Sequence, residues 1–300
     1  MSAETLTGIA ADQDPSTLRF PTILQGSGQA AACPVAFIST EASEQRRIHA
    51  RASGIPEAWV DGFFPATDLT SMDAEKEGAY AALLDSDAFR ERYGRRITPP
   101  ELGCALSHRR VYQEMVDRDL PIALVLEDDV VPCAGYMETL EQIVSGVLRL
   151  APRERSFVCH LGVPPHWTKK LFPRPAYVAN GIMPKRLPGL KVLPGVQSLW
   201  WTHAYIVSQA AARRILEAEK NMPILADDWA ERRRRGVLNV LLLSESVLFC
   251  QELGVESLID TSGFRSVKRK GGYALRRVGM RGYYLKAKRR IMRKLPFLVL

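Results

Sequence analysis

Three hundred residues, 46% apolar and 25% charged, describe a globular chain with room for one large α/β domain or two small ones, which excludes a mainly disordered protein. No stretch approaches the run of about eighteen apolar residues a membrane-spanning helix needs, and five scattered cysteines with no Cys-x-x-Cys pair exclude a disulfide framework or zinc knuckle. The formal net charge of +8 is unevenly placed: thirteen Lys or Arg and no Asp or Glu follow Asp260, leaving 28 basic against 33 acidic side chains before it. Reduced thiols and a polar, acidic start unlike a signal peptide point to a cytoplasmic protein.

Residues 1–33 are small and polar and read as a flexible arm. Gly26-Ser27-Gly28-Gln29-Ala30-Ala31 matches a relaxed dinucleotide fingerprint, but Cys33-Pro34 interrupts the helix that must follow, so it carries no nucleotide site. Pro34–Thr40 reads as the first strand, and 41–51 as a short exposed helix. Ala58–Gly62 is expected to be a second strand with Asp61 at its tip, a carboxylate placed to accept from a ribose or base. Residues 66–95 read as helical. Pro99-Pro100 opens a helix running to Asp117, since the first turn lacks hydrogen-bonded N–H groups anyway. Its run Gly103-Cys104-Ala105 allows close approach of a backbone or flat ligand, and the seven-residue spacing of Glu101 and His108 places both on one helical face.

Ile122-Ala123-Leu124-Val125-Leu126 then runs into Glu127, Asp128 and Asp129. The apolar run suits a central strand buried on both faces. Three adjacent carboxylates read either as a solvated acidic turn or, if buried, as a site whose counter-charge is a divalent cation at the strand's C-terminal end. Strand alternation would place Glu127 and Asp129 on one side and Asp128 on the other. An amphipathic helix is expected over 136–150 and a strand over 156–161. The proline-rich stretch 162–197 reads as long and irregular, with Trp167, Phe172 and Tyr177 available for stacking. Strand character resumes at Leu199–Ser208 with His203 inside it, followed by a helix from Gln209. Ala226-Asp227-Asp228-Trp229 presents a second carboxylate pair, one member of which suits a helix N-cap. Val240–Cys250 closes the set as a single apolar strand.

Glu101-Leu102-Gly103-Cys104-Ala105-Leu106-Ser107-His108 followed by Leu124-Val125-Leu126-Glu127-Asp128-Asp129-Val130 resembles glycosyltransferase family 25, the bacterial lipooligosaccharide glycosyltransferases related to collagen galactosyltransferases. Val60-Asp61-Gly62, Thr202–Ser208 and Asp227-Asp228-Trp229 echo the family in its order, and Ser39-Thr40 stands where an Asn-Leu pair is usual. The resemblance implies a GT-A-like single domain over 34–262, a mostly parallel central sheet flanked by helices, and inverting transfer of a hexose, galactose or glucose, from a UDP-sugar to a glycan or glycolipid hydroxyl. Asp129, with Glu127, is the expected ligand set for Mn²⁺ or Mg²⁺; Asp227 or Asp228 is the expected base, with Trp229 a sugar platform. Asp61, Glu101, His108, Asp128 and His203 are expected donor or acceptor contacts.

The tail, residues 263–300, interleaves its positive charges with Tyr273, Tyr283 and Tyr284 and ends in Leu295–Leu300, which suits an anionic membrane surface at the inner face of a membrane. Two rival readings are a metal-dependent phosphodiesterase or nucleotide-sugar hydrolase, and a nucleic-acid binder using the tail. Neither accounts for the 101–108 block, the acidic tip and Asp227-Asp228 together, so no nucleic-acid partner is expected.

Overall fold

The computed structural model describes residues 33–151, 155–162, 174–180, 183–193, 199–220 and 224–251, with a short strand at 22–23. The fingerprint at 26–31, Trp167, Phe172 and the tail 263–300 lie outside the described residues, as does the side chain of Tyr177.

The core of the molecule is a nine-stranded mixed sheet in the order β1 (Thr22–Ile23), β2 (Cys33–Ser39), β4 (Ile122–Glu127), β9 (Ala204–Ser208), β6 (Phe157–His160), β10 (Val240–Ser244), β8 (Met183–Val192) and β7 (Arg174–Asn180), with β3 (Phe64–Pro65) beside β2. The α/β class with flanking helices is as expected. The pairing is parallel for β2 with β3 and β4 and for β6 with β10, and antiparallel for β9 against both β4 and β6.

Burial follows the two-residue period of the strands. Ile122, Leu124 and Leu126 face one side with Val35, Phe37 and Ile206, covered by α1 (Glu44–Ala52), α2 (Glu57–Asp61) and α6 (Tyr136–Leu148). Ala123 and Val125 face the other with Tyr205 and Val207, covered by α5 (Pro99–Asp117), α7 (Gln209–Ala218) and α8 (Trp229–Arg234). A third cluster under α3 (Ala74–Leu84) and α4 (Asp87–Tyr93) ties Tyr80, Leu83 and Phe89 to Leu102 of α5. Covering both faces explains why β4 is a continuous apolar run.

The helix opening at Pro99 is as expected, and Glu101 closes it by accepting from the backbone N–H and hydroxyl of Thr98, both at 3.0 Å. Four expectations fail. Residues 57–61 form a helical turn rather than a strand, because Pro56 opens it and the turn buries both Trp59 and Val60. Five residues are too few for periodicity to separate the two. Within 162–197, β7 and β8 form an antiparallel hairpin. Its prolines are tolerated because β7 is an edge strand and the register shifts between Pro175 and Tyr177, opposite Pro188. The strand expected from Leu199 begins only at Ala204, since Trp201 has φ +88°, incompatible with extended backbone. The run 240–250 breaks after Ser244, and its second part, β11 (Phe249–Gln251), joins β5 (Val130–Pro132) in a separate two-stranded sheet.

Candidate active site

β4 leaves the sheet at Glu127, and the chain turns through Asp128 and Asp129 into β5. The turn ends the strand at Glu127, so the two-sided alternation expected of 127–129 does not govern Asp128 and Asp129. All three line one cleft at the strand ends, together with Ser39, Arg46 and His108. Its opposite wall is the segment Ala66–Thr70, and α5 holds that wall in place. A Cβ on Gly103 would fall 2.5 Å from the Thr67 carbonyl, so only glycine lets the helix press this close. Ser107 then accepts from the Thr67 N–H at 2.8 Å and donates to the Gly103 carbonyl at 2.7 Å. The small-residue run thus makes a backbone contact at Gly103, one of the two uses its composition allows.

The three acids differ in what balances them. Asp128 accepts from Arg46 at 2.8 Å and from Ser39 Oγ at 2.9 Å, and is buried in an ion pair. Glu127 Oε1 lies 3.1 Å from His108 Nε2. Burial pushes its carboxyl upward, but hydrogen bonds from His108 and Thr202 outweigh this and hold it below the usual range. Asp129 accepts from Gln251 Nε2 at 2.8 Å through one oxygen, while its other, Oδ1, is buried with no hydrogen-bond partner among the described residues. Burial, and next the charge of Glu127, push the Asp129 carboxyl up to about 7.

His203 enters from across the sheet. Because β9 runs antiparallel to β4, its first residues meet the last of β4, and the Glu127 N–H donates to the His203 carbonyl at 3.0 Å. The His203 ring presses on Gly162, where a Cβ would fall 1.9 Å from Nε2. Burial lowers its pKa. Neither ring nitrogen has a well-aligned partner among the described residues.

The pair at 227–228 separates cleanly. Asp228 is fully buried at the N-cap of α8, accepting from the Glu231 N–H at 3.0 Å, from Arg92 at 2.9 Å and from Tyr93 Oη at 3.0 Å. Its lone pairs are spent on structure, so it does not serve as a base. Asp227 is partly exposed, and burial followed by the charge of Glu127 pushes it up to about 6.

Three further expectations do not survive the packing. Trp229 is fully buried, edge-on to Tyr205 at 5.0 Å and to His160 at 5.2 Å, with Nε1 donating to the Trp201 carbonyl, so no ring face is left for a sugar. Glu101 is buried and paired with Arg95 at 2.7 Å while it caps α5, which leaves it no capacity for a substrate. Asp61 sits at the exposed end of α2, ion-paired with Arg51, and does not line the cleft. Conversely, Arg46, Thr67 and Gln251 are cleft residues that sequence reasoning missed, and Ser39 entered it only as a departure from the family's usual Asn-Leu pair. Only Ser39, at the end of the first strand, stood at a position that could have flagged it; Gln251 arrives through the β5–β11 pairing.

The family model described as glycosyltransferase family 25 (LPS biosynthesis protein) matches residues 34–230. The chain belongs to glycosyltransferase family 25. Of the cleft residues named above, only Gln251 lies beyond the match. The chain is 27% identical over 202 residues to the lacto-N-neotetraose biosynthesis glycosyltransferase LgtE of Neisseria meningitidis serogroup B, covering 64% of each chain. It is 28% identical over 141 residues to procollagen galactosyltransferase 1 of Danio rerio, covering 44% of this chain and 20% of the relative. It is 33% identical over 126 residues to the human inactive glycosyltransferase 25 family member 3, covering 42% of this chain and 19% of that one. The chain thus spans about a fifth of the length of these animal relatives.

Proposed function

We propose that this family 25 chain is an active inverting glycosyltransferase of GT-A-like architecture, moving a hexose, galactose or glucose, from a UDP-sugar to a hydroxyl of a lipid-linked or lipopolysaccharide-type glycan. The observation that carries the reading is Asp129: a partly buried carboxylate beside Glu127, with one buried oxygen unpartnered among the described residues and its ionisation opposed, in a cleft at the strand ends. A cation relieves both penalties, so the residues fit Mn²⁺ or Mg²⁺, held by Asp129 with Glu127. Such an ion supplies positive charge against the leaving diphosphate. The names of LgtE and of procollagen galactosyltransferase 1 support the reaction class.

Asp227 is the base in this scheme. It takes the proton of the acceptor hydroxyl as that oxygen bonds to the anomeric carbon, the bond from that carbon to the β-phosphate oxygen breaks, and UDP leaves with the electron pair. A carboxyl held near 6 is ionised at neutral pH yet basic enough to assist proton removal. Asp128, already neutralised by Arg46, shapes the cleft floor and adds no net negative charge beside the donor phosphates. His108 and His203 orient Glu127 from two sides. The basic tail, residues 263–300, holds the enzyme at an anionic, inner-face membrane surface; no described helix is long and apolar enough to cross one.

The test is a panel of UDP-sugars with Mn²⁺, scored for donor binding, hydrolysis and transfer in wild type and Asp129→Ala. One hexose donor is expected to be turned over, with the variant reduced about 10²–10³-fold. Equal turnover by the two proteins refutes the metal assignment, and hydrolysis that no glycan acceptor accelerates refutes the transferase.

A further inference from the structure

The cleft contains a second donor set of different chemistry. Cys104 and His108 lie four residues apart on α5, one helical turn, and both face Glu127 at the end of β4. One ligand atom from each, sulfur, imidazole nitrogen and carboxylate oxygen, lies within 4.8 Å of the other two. We propose that Cys104, His108 and Glu127 form a binding site for a thiophilic divalent cation such as Zn²⁺, distinct from the carboxylate position at Asp129. Sharing Glu127, the two positions compete, so the thiophilic ion inhibits whatever chemistry the carboxylate position supports. The inference does not depend on the glycosyl-transfer reading.

Three observations carry it. The first is spacing. Two bonds of about 2.0–2.1 Å meeting at a tetrahedral angle put nitrogen and oxygen ligands about 3.3 Å apart, with sulfur about 3.6 Å from either. His108 Nε2 and Glu127 Oε1 already stand 3.1 Å apart, and sulfur, within 4.8 Å of both, has at most about an ångström to close by rotation of its side chain. The second is the support behind the histidine. His108 Nδ1 lies 2.7 Å from Tyr205 Oη, which lies 2.7 Å from Tyr112 Oη, all buried. In the ion-bound form the metal takes the place of the Nε2 proton that serves Glu127, and the Tyr205 hydroxyl accepts from Nδ1–H while donating to Tyr112, which fixes the ring toward the cleft. The third is access: all three side chains line the open cleft, so an ion has a path in and a fourth position remains for water.

The mixed sulfur, nitrogen and oxygen set favours Zn²⁺ or Co²⁺ over Mg²⁺ or Mn²⁺, which prefer oxygen alone. Binding converts the Cys104 thiol to a thiolate, and its proton leaves to solvent as the metal–sulfur bond forms.

The experiment uses Co²⁺ alone with the full chain and no nucleotide sugar. We expect stoichiometric binding with a thiolate-to-cobalt charge-transfer absorption, erased by one equivalent of Zn²⁺. Cys104→Ser is expected to abolish the band, and His108→Ala to weaken Co²⁺ affinity at least about tenfold; Tyr205→Phe should keep the band and weaken binding about tenfold. Asp129→Asn keeps the band, since Asp129 supplies no sulfur and is not one of the three ligands. A combined Cys133→Ser and Cys250→Ser variant also keeps the band, which removes the other close thiol pair, 3.6 Å apart, as its source. In wild type, Zn²⁺ should slow alkylation of Cys104 at least tenfold, read by peptide mass, a measurement that needs no variant to fold. No band at saturating Co²⁺, a band that survives Cys104→Ser, or unprotected alkylation overturns the proposal. Sugar transfer without the band defeats this inference alone; the band without transfer defeats only the glycosyltransferase reading.

Discussion

The two acidic segments, 127–129 and 227–228, look alike in sequence and divide their labour in the same way. Each gives one member to structure: Asp128 to Arg46 and Ser39, Asp228 to Arg92, Tyr93 and the N-terminus of α8. Each leaves another member with less compensation, so burial raises the pKa of Asp129, which lines the cleft, and of Asp227, which is partly exposed but not part of the cleft lining. The contrast teaches that a carboxylate's role follows from the donors the fold brings to it, not from its place in an acidic run. Perturbed carboxylates in a cleft are where function is expected.

The sharpest way to break that contrast is to neutralise the neighbours one at a time. Asp227→Asn is expected to cut kcat by about 10²–10⁴-fold while the melting temperature stays put. The pH profile follows from the same group. With its pKa near 6, the base is lost as pH falls, so at saturating Mn²⁺ wild-type kcat should fall about tenfold per unit below pH 6, and the variant should lose that limb. An unaltered acid limb in Asp227→Asn would reassign the base.

Asp228→Ala should do the opposite, destabilising the fold by about 3–5 kcal/mol in denaturant titration because Arg92 and Tyr93 lose their shared partner. If Asp228→Ala melts like wild type and Asp227→Asn does not, the division is reversed.

A smaller effect sharpens the comparison from the side of the cations. His160 is buried against Trp229 and Tyr205, and burial, then the nearby His203, lower its pKa to about 3. The unfolded chain binds its proton near 6.5, so stability is intact above that value and declines as pH falls toward 3. Between pH 7 and pH 5 the loss attributable to His160 is about 2 kcal/mol, and His160→Phe should show a correspondingly flatter pH dependence of melting. Identical slopes in the two proteins contradict a neutral buried imidazole.

Much of this was legible in advance where local chemistry and long-range packing agree. Helix Pro99–Asp117 was readable because paired prolines suit a helix's first turn and the seven-residue spacing of Glu101 and His108 suits one helical face. Strand Ile122–Glu127 was readable because a short apolar run between prolines has one good use. Trp229 misled for a physical reason: a tryptophan beside two acids has the composition of a sugar platform, and only the position of Tyr205 and His160 against its ring shows that it belongs to the core. Glu101 misled in the same way, since the guanidinium of Arg95 that claims it sits in a preceding loop.

By itself the sequence determined that the run 122–126 would be buried on two faces, where the acidic tip would emerge, and that the small run 103–105 would admit a backbone or a flat ligand, because these depend on side-chain size, polarity and spacing along one element. The tertiary structure alone decided which acids are free. Arg46, Gln251, Arg92 and His108 reach Asp128, Asp129, Asp228 and Glu127 from 82, 122, 136 and 19 residues away, and the energy of a carboxylate depends on the donors within a few ångströms, however far along the chain they lie.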